Sequence, residues 1–298
     1  MKKISAKVRF YIITGLISLL LIIVILPSAP VKQDKATWLW DTSIIRSEID
    51  EILEFGREEG VTTIFLQIQE AVPAEDYRLF IRSARLANID VHALGGEPDW
   101  AYTDQNKEGL QLLDWLDEYN KTSAPEERFQ GIQLDVEPYI LKRWESEQEK
   151  VIEEWGSNME VWVQEARRQG LLVSAAVPFW LDSVPGPQGS DNFSRWMLEQ
   201  TDAVAVMSYR DDGEKMYELS KEELAQADEL GKFVWIGMEL TDTVEGEHLT
   251  FYDKSEKTMK SEANRAAKLG SKHKSFAGLA VHHYQEWHNK ITARADEE

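Results

Sequence analysis

The stretch FQGIQLDVEPY, residues 129–139, sets two carboxylates on one side of an apolar strand. Side chains alternate across a strand, so packing through Ile132, Leu134 and Val136 turns Gln133, Asp135 and Glu137 together to the opposite face. Burying carboxylates is costly unless they are paired, hydrogen-bonded or used. Two residues apart on one face they stand roughly 6–7 Å from each other. At that separation the charge on one raises the pKa of the other, which keeps an acid protonated near neutral pH and fit to act as a proton donor. The alternative is a structural carboxylate pair.

Such a pair needs a scaffold, and the rest of the chain supplies one. From residue 36 short apolar runs alternate with amphipathic segments eight times. The expected strands are Ala36–Trp40, Thr63–Gln69, Asp90–Leu94, Gly131–Val136, Leu171–Val177, Ala203–Ser208, Phe233–Met238 and Gly278–His282. Between them SIIRSEIDEILEFGREEG, AEDYRLFIRSARLAN and KEGLQLLDWLDEYN carry apolar residues at three- and four-residue spacing, the helical period. Helix starts are expected at Thr42 or Ser43, at Ser220 with Glu223 as a capping box, and at Ser255; stops are expected at Gly60, Gly170, Gly231 and Gly270. Eight βα units of this length predict an α/β fold, a (β/α)8 TIM barrel over 36–298, with a doubly wound sheet as the second choice.

A barrel places its active site at the carboxyl ends of the strands. The residues that finish the strands here include Trp40, Gln69, Glu97, Trp100, Asp135, Glu137, Trp180, Met207, Tyr209, Glu239 and His282. Indoles stack on the flat apolar faces of sugars, while amides and carboxylates bond to hydroxyls, so this rim suits carbohydrate. A phosphate site would want Gly-rich loops and basic side chains, and only Arg210 stands nearby. Trp115, Trp144, Trp155, Trp162 and Trp196 fall in helical patterns and are read as packing residues. His282 and His283 are adjacent and face opposite sides of a strand, so they make a poor metal pair; no metal or other cofactor is expected.

The bulk properties narrow the partners. The 298 residues carry 33 basic and 53 acidic side chains and no cysteine. Four of the basic residues, Lys2, Lys3, Lys7 and Arg9, form a flank over 1–9, which leaves the body more acidic than the whole. Such a body does not attract nucleic acid, a disulfide framework and thiolate chemistry are excluded, and no obligate protein partner is evident. FYIITGLISLLLIIVIL, residues 10–26, is a 17-residue apolar run after that positive flank, followed by a linker over 27–35. It reads either as a transmembrane signal-anchor or as a cleaved signal peptide near Ser28-Ala29-Pro30. Both readings put the barrel outside the cytoplasm, membrane-bound in the first case and secreted in the second.

The segment FQGIQLDVEP resembles the strand-4 signature DxxDxDxE of glycoside hydrolase family 18, the chitinase-like enzymes. DVHALGGEPDW is similar to that family's strand-3 segment ending Ser-x-Gly-Gly, with Ala93 in place of serine, and TDAVAVMSYR to its strand-6 Met-x-Tyr-Asp, with Arg210 in place of aspartate. LLVSAAVP and GKFVWIGMEL are similar to strands 5 and 7, and in GLAVHHY His282 stands where strand 8 ends in tryptophan. Gln130 and Gln133 replace the first two aspartates of the signature.

The resemblance, from about residue 36 to 290, implies a retaining hydrolase without an enzyme nucleophile. In that scheme Glu137 is general acid/base, Asp135 orients the substrate's 2-acetamido group, and Tyr209 donates to the acetamido carbonyl. Gln133 would hydrogen-bond to Asp135 without sharing a proton, and His282 would partly replace the tryptophan floor. The implied substrate is an N-acetylated polysaccharide of the cell envelope or an exopolysaccharide. Two other readings stay open: a two-carboxylate retaining glycosidase using Glu137 and Glu239, with carboxyls about 5–5.5 Å apart, and a non-catalytic sugar-binding protein on a chitinase-like scaffold.

Overall fold

In the computed structural model, which describes residues 34–244 and 246–292, eight parallel strands close into a barrel in sequence order. They are β1 (Lys35–Leu39), β2 (Val61–Gln67), β3 (Asp90–Gly95), β4 (Gly131–Leu134), β5 (Leu172–Pro178), β6 (Ala203–Met207), β7 (Phe233–Glu239) and β8 (Phe276–His282). Each lies within two residues of the bounds expected from sequence. The long helices are α1 (Ile49–Glu59), α2 (Ala74–Leu86), α3 (Asn106–Thr122), α4 (Lys142–Arg168), α5 (Phe193–Gln200), α6 (Gly213–Leu230), α7 (Glu256–Gly270) and α8 (Tyr284–Thr292). Pairing of Ala36 with Ala280 and of Thr37 with Val281 closes the ring between β1 and β8, and Thr37 Oγ1 donates to the Val281 carbonyl across that seam at 2.9 Å.

Strand alternation divides the apolar side chains between two regions. Ile132, Leu134 and Val136 point outward into the shell packed against the helices. Trp38, Phe65, Leu94, Ala205, Trp235 and Ala280 point inward and fill the barrel. The polar face of residues 133–137 is therefore the barrel interior and its mouth. The five helical tryptophans pack as expected, Trp115 as a partly buried member of the shell and the other four buried.

Helix ends follow local chemistry, with two corrections. Gly60 and Gly231 close α1 and α6 in the left-handed conformation that glycine adopts at little cost, and Ser255 caps α7 by accepting from the Thr258 N–H. Thr42 opens a short 3-10 turn capped by Asp41 rather than a long helix. Ser220 and Glu223 do not form a capping box: both are buried in the middle of α6, which starts seven residues earlier under the cap of Asp212. Gly270 is the last residue of α7, and Ser271 caps it. No helix among the described residues is long and apolar enough to cross a membrane, and the run 10–26 expected to be an anchor or signal lies outside them.

Candidate active site

A cleft of about 440 Å³ opens at the carboxyl ends of the strands. Asp135, Glu137, Tyr209, Trp40, Trp180, Met207, Glu239 and His282 all line it, so most of the expected residues meet in one place. Trp40 follows β1 and Trp180 follows β5, and strands 1 and 5 lie opposite each other in a ring of eight. The cleft therefore spans the mouth between two half-buried indoles, with no lysine or arginine in its lining. Arg210, the basic residue that the sequence places beside Tyr209, donates to the Tyr209 carbonyl and stacks its guanidinium on the Phe179 ring at 5.2 Å.

The carboxylates sit just past the end of β4, where the ladder gives way to a turn. Asp135 still donates its N–H to the Gly95 carbonyl at 3.1 Å, and Glu137 precedes the 3-10 turn Pro138–Ile140. Gly96 permits this close approach: its φ of +152° suits glycine, and a Cβ there would collide with the Asp135 carbonyl. Burial, and next the adjacent Glu137 charge, push the Asp135 carboxyl up to about 7. Its Oδ1 is buried without a hydrogen-bond partner. The carboxyl pushed up is thus Asp135; the sequence argument left open which of the two it would be.

Glu137 has a partner that sequence reading missed. The Tyr139 hydroxyl donates to Glu137 Oε2 at 2.5 Å, a charge-assisted bond. Tyr139 is held edge-on by Trp180 at 5.0 Å and Trp144 at 6.2 Å, so the aromatic cluster fixes the direction of the carboxylate. Burial, then the Glu137 charge, raise the Tyr139 phenol, which stays a donor. The signal was available: Tyr139 follows Glu137 by two residues, as Glu137 follows Asp135. Trp38, two residues before Trp40 on the inward face of β1, was missed likewise and lies under the cleft.

Tyr209 enters the cleft with a hydroxyl that bonds to no protein group among the described residues. Burial, and then the charges of Glu239, Asp135 and Glu137, hold its pKa well above 10. It is a permanently protonated O–H free to serve a ligand. Glu239 is the opposite case. Its Oε1 accepts from the N–H groups of Leu240 and Thr241 at 2.7 Å each, and His282 Nδ1 reaches Oε2 at 2.9 Å. Burial works to raise this carboxyl, yet the His282 bond and the Thr241 amide hold it below its ordinary value.

Two expectations are corrected. Gln133 is fully buried beneath the cleft, and neither amide atom has a hydrogen-bond partner, so it does not bond to Asp135. Gln69, Glu97 and Trp100 line a second hollow of about 420 Å³ at the ends of β2 and β3, walled by α3, rather than the cleft that holds the carboxylates. Gln130 is structural: its Oε1 accepts from the Val91 N–H at 2.7 Å at the start of β4. Among the described residues no group of acidic, histidine or cysteine side chains is arranged to hold a metal ion; His283 turns from His282 toward Gln285 Oε1 at 3.0 Å.

No protein-family profile and no curated protein matches the sequence. Solved structures do. A chitinase from Bacteroides thetaiotaomicron shares 12% identity at a TM-score of 0.53, covering 85% of this chain and 90% of its own. The spore cortex-lytic enzyme SleL of Bacillus megaterium shares 11% at 0.52, covering 86% and 72%. The glycoside hydrolase domain of PgaB (BpsB) from Bordetella bronchiseptica shares 11% at 0.51, covering 89% and 98%. The likeness is one of fold: this chain has the barrel that those proteins have.

Proposed function

We propose that this barrel is a retaining glycoside hydrolase of the chitinase-like family 18, acting on an N-acetylated polysaccharide by substrate assistance. The observation that carries the reading is the convergence of Asp135, Glu137 and the unpaired Tyr209 hydroxyl in one aromatic-walled cleft. Glu137 protonates the glycosidic oxygen, and the substrate's acetamido oxygen attacks the anomeric carbon. Asp135 orients the acetamido N–H and, when ionised, stabilises the cationic oxazolinium that results. Tyr209 donates to the acetamido oxygen. Water then opens the ring with Glu137 as base, and configuration is retained overall.

The tied state of Glu239 argues against its use as a nucleophile, because its oxygens already accept from His282 and two backbone amides. The Glu137 carboxylate, oriented by Tyr139, argues against a merely sugar-binding role, for which a positioned acid has no purpose. The apolar run behind a basic flank at residues 1–26 supports a place outside the cytoplasm and a polymer of the envelope or an exopolysaccharide. Chitinases and a spore cortex-lytic enzyme share this barrel, which is in keeping with a polysaccharide substrate.

The test is an assay of the purified barrel on acetylated and unacetylated β-linked glucosamine oligosaccharides. Cleavage of the acetylated forms alone, abolished by Glu137→Gln, is expected. Cleavage of both kinds would favour the Glu137/Glu239 mechanism, and binding without turnover would favour a sugar-binding protein.

A further inference from the structure

His282 carries a consequence that the proposed reaction does not use. Trp40 Nε1–H donates to His282 Nε2 at 3.1 Å, and an indole N–H can only donate. His282 Nε2 therefore has no proton, and the imidazole proton sits on Nδ1, pointed at Glu239 Oε2 at 2.9 Å. Glu239 is anchored in turn by the Leu240 and Thr241 amides. At the other end, the Trp40 carbonyl accepts from Gln69 Nε2 at 3.1 Å, so Trp40 is held through both backbone and indole. Trp38 packs edge-on against the imidazole at 5.6 Å from below, and Tyr209 flanks it at 6.0 Å.

Both nitrogens of His282 are thus engaged by protein, and the ring has none left for a sugar hydroxyl. Trp40 differs: its N–H is spent, while its half-buried ring lines the cleft opposite Trp180. We infer that Trp40 at the end of β1 is the stacking platform for the sugar, and that His282 and Glu239 are positioning residues that fix its indole through a Glu239–His282–Trp40 relay. The inference rests on the reading that this cleft binds carbohydrate. It moves the floor from the eighth strand to the first, and it makes His282 a pin for that floor rather than the floor itself. A free indole can turn about its side-chain torsions; a pinned one presents a fixed face, so ligand ordering costs less.

The relay can be read without turnover. In protein labelled with ¹⁵N-tryptophan, the Trp40 indole N–H resonance, assigned by its loss in Trp40→Phe, should lie at a hydrogen-bonded shift in the wild type. It should keep that shift in His282→Gln, whose amide can accept from the indole and donate to Glu239, and move to a free indole position in His282→Leu. Binding of tetra-N-acetylchitotetraose, measured in the Glu137→Gln background, should weaken about tenfold with His282→Leu, the loss of one buried hydrogen bond, and return to within about threefold with His282→Gln. In otherwise wild-type protein the same change should appear in KM more than in kcat. An indole resonance that ignores His282→Leu would overturn the relay. A resonance that moves while sugar binding does not would overturn the platform. A resonance that moves in a protein that binds no sugar at all would overturn the carbohydrate reading and the platform together, leaving the relay standing.

Discussion

Replacing Glu137 with glutamine should lower the pKa of Asp135 by roughly two pH units. Asp135 is pushed up to about 7 by burial and by the charge of Glu137. The two carboxyls are separated by two residues, roughly 6–7 Å along an extended chain. With an effective dielectric of about 20, their repulsion is roughly 2.5 kcal/mol, which corresponds to nearly two pH units. Removing the charge while keeping the shape should therefore bring Asp135 to about 5, the remainder being the rise from burial, the larger cause, less the lowering by nearby His282. The assay is a ¹³C NMR titration of protein labelled at the aspartate carboxyl, with Asp135 assigned by its loss in Asp135→Asn; it needs no substrate. A fall of less than about half a unit would show that Glu137 does not set the Asp135 charge, and the electrostatic coupling of the two would be refuted. The same coupling leaves the pair holding one proton below pH of about 7, the proton that Glu137 must deliver to the glycosidic oxygen, so wild-type activity should fall as pH rises through about 7.

Tyr209→Phe should lower kcat about 10- to 100-fold with KM within about threefold, since it removes a donor worth roughly 1.5–3 kcal/mol to a group that gains charge; steady-state kinetics with circular dichroism as a folding control checks this. Gly96→Ala should destabilise the protein by roughly 1–3 kcal/mol and impair turnover, because its Cβ meets the Asp135 carbonyl at a backbone conformation suited to glycine; the urea midpoint and kcat/KM read the two effects. Glu223, buried between α5 and α6 with Oε2 unpartnered, is pushed up to about 8 by burial from an ordinary 4.5. The folded protein then keeps a proton that the unfolded chain releases, so stability should fall as pH rises from about 4.5 to 8, by roughly 5 kcal/mol at most. Glu223→Gln should flatten that slope in urea titrations at pH 5 and 8.5, and an unchanged slope would rule out Glu223 as its source.

The fold was legible because strand alternation and glycine punctuation are local signals. Ile132, Leu134 and Val136 point outward and Asp135 faces the mouth, as the period of two requires. The same logic found the residues that finish each strand, and most of the expected site follows from them. Strand ends specify height in a barrel but not direction around its rim, which is why Gln69, Glu97 and Trp100 proved to line a separate hollow. Depth was equally invisible: Gln133 shares the face of Asp135 yet lies too far down to reach ligand or to bond to its neighbour. The Ser220–Glu223 pattern misled because a capping box and a mid-helix pair have the same spacing, and only the cap at Asp212 distinguishes them. The Glu239–His282–Trp40 chain joins three strands distant in sequence, and nothing in local pattern brings them together.

The central claim is that the substrate's own acetamido oxygen forms the new bond while Glu137 supplies the proton. The direct measurement is kcat/KM on oligosaccharides whose N-acetyl group at the cleaved residue carries none, one, two or three fluorines. Fluorine withdraws electrons from that oxygen, so a nucleophilic acetamido group predicts a steep, progressive loss of rate across the series. A flat series would contradict the account, because the acetamido oxygen would then take no part in the bond-making step.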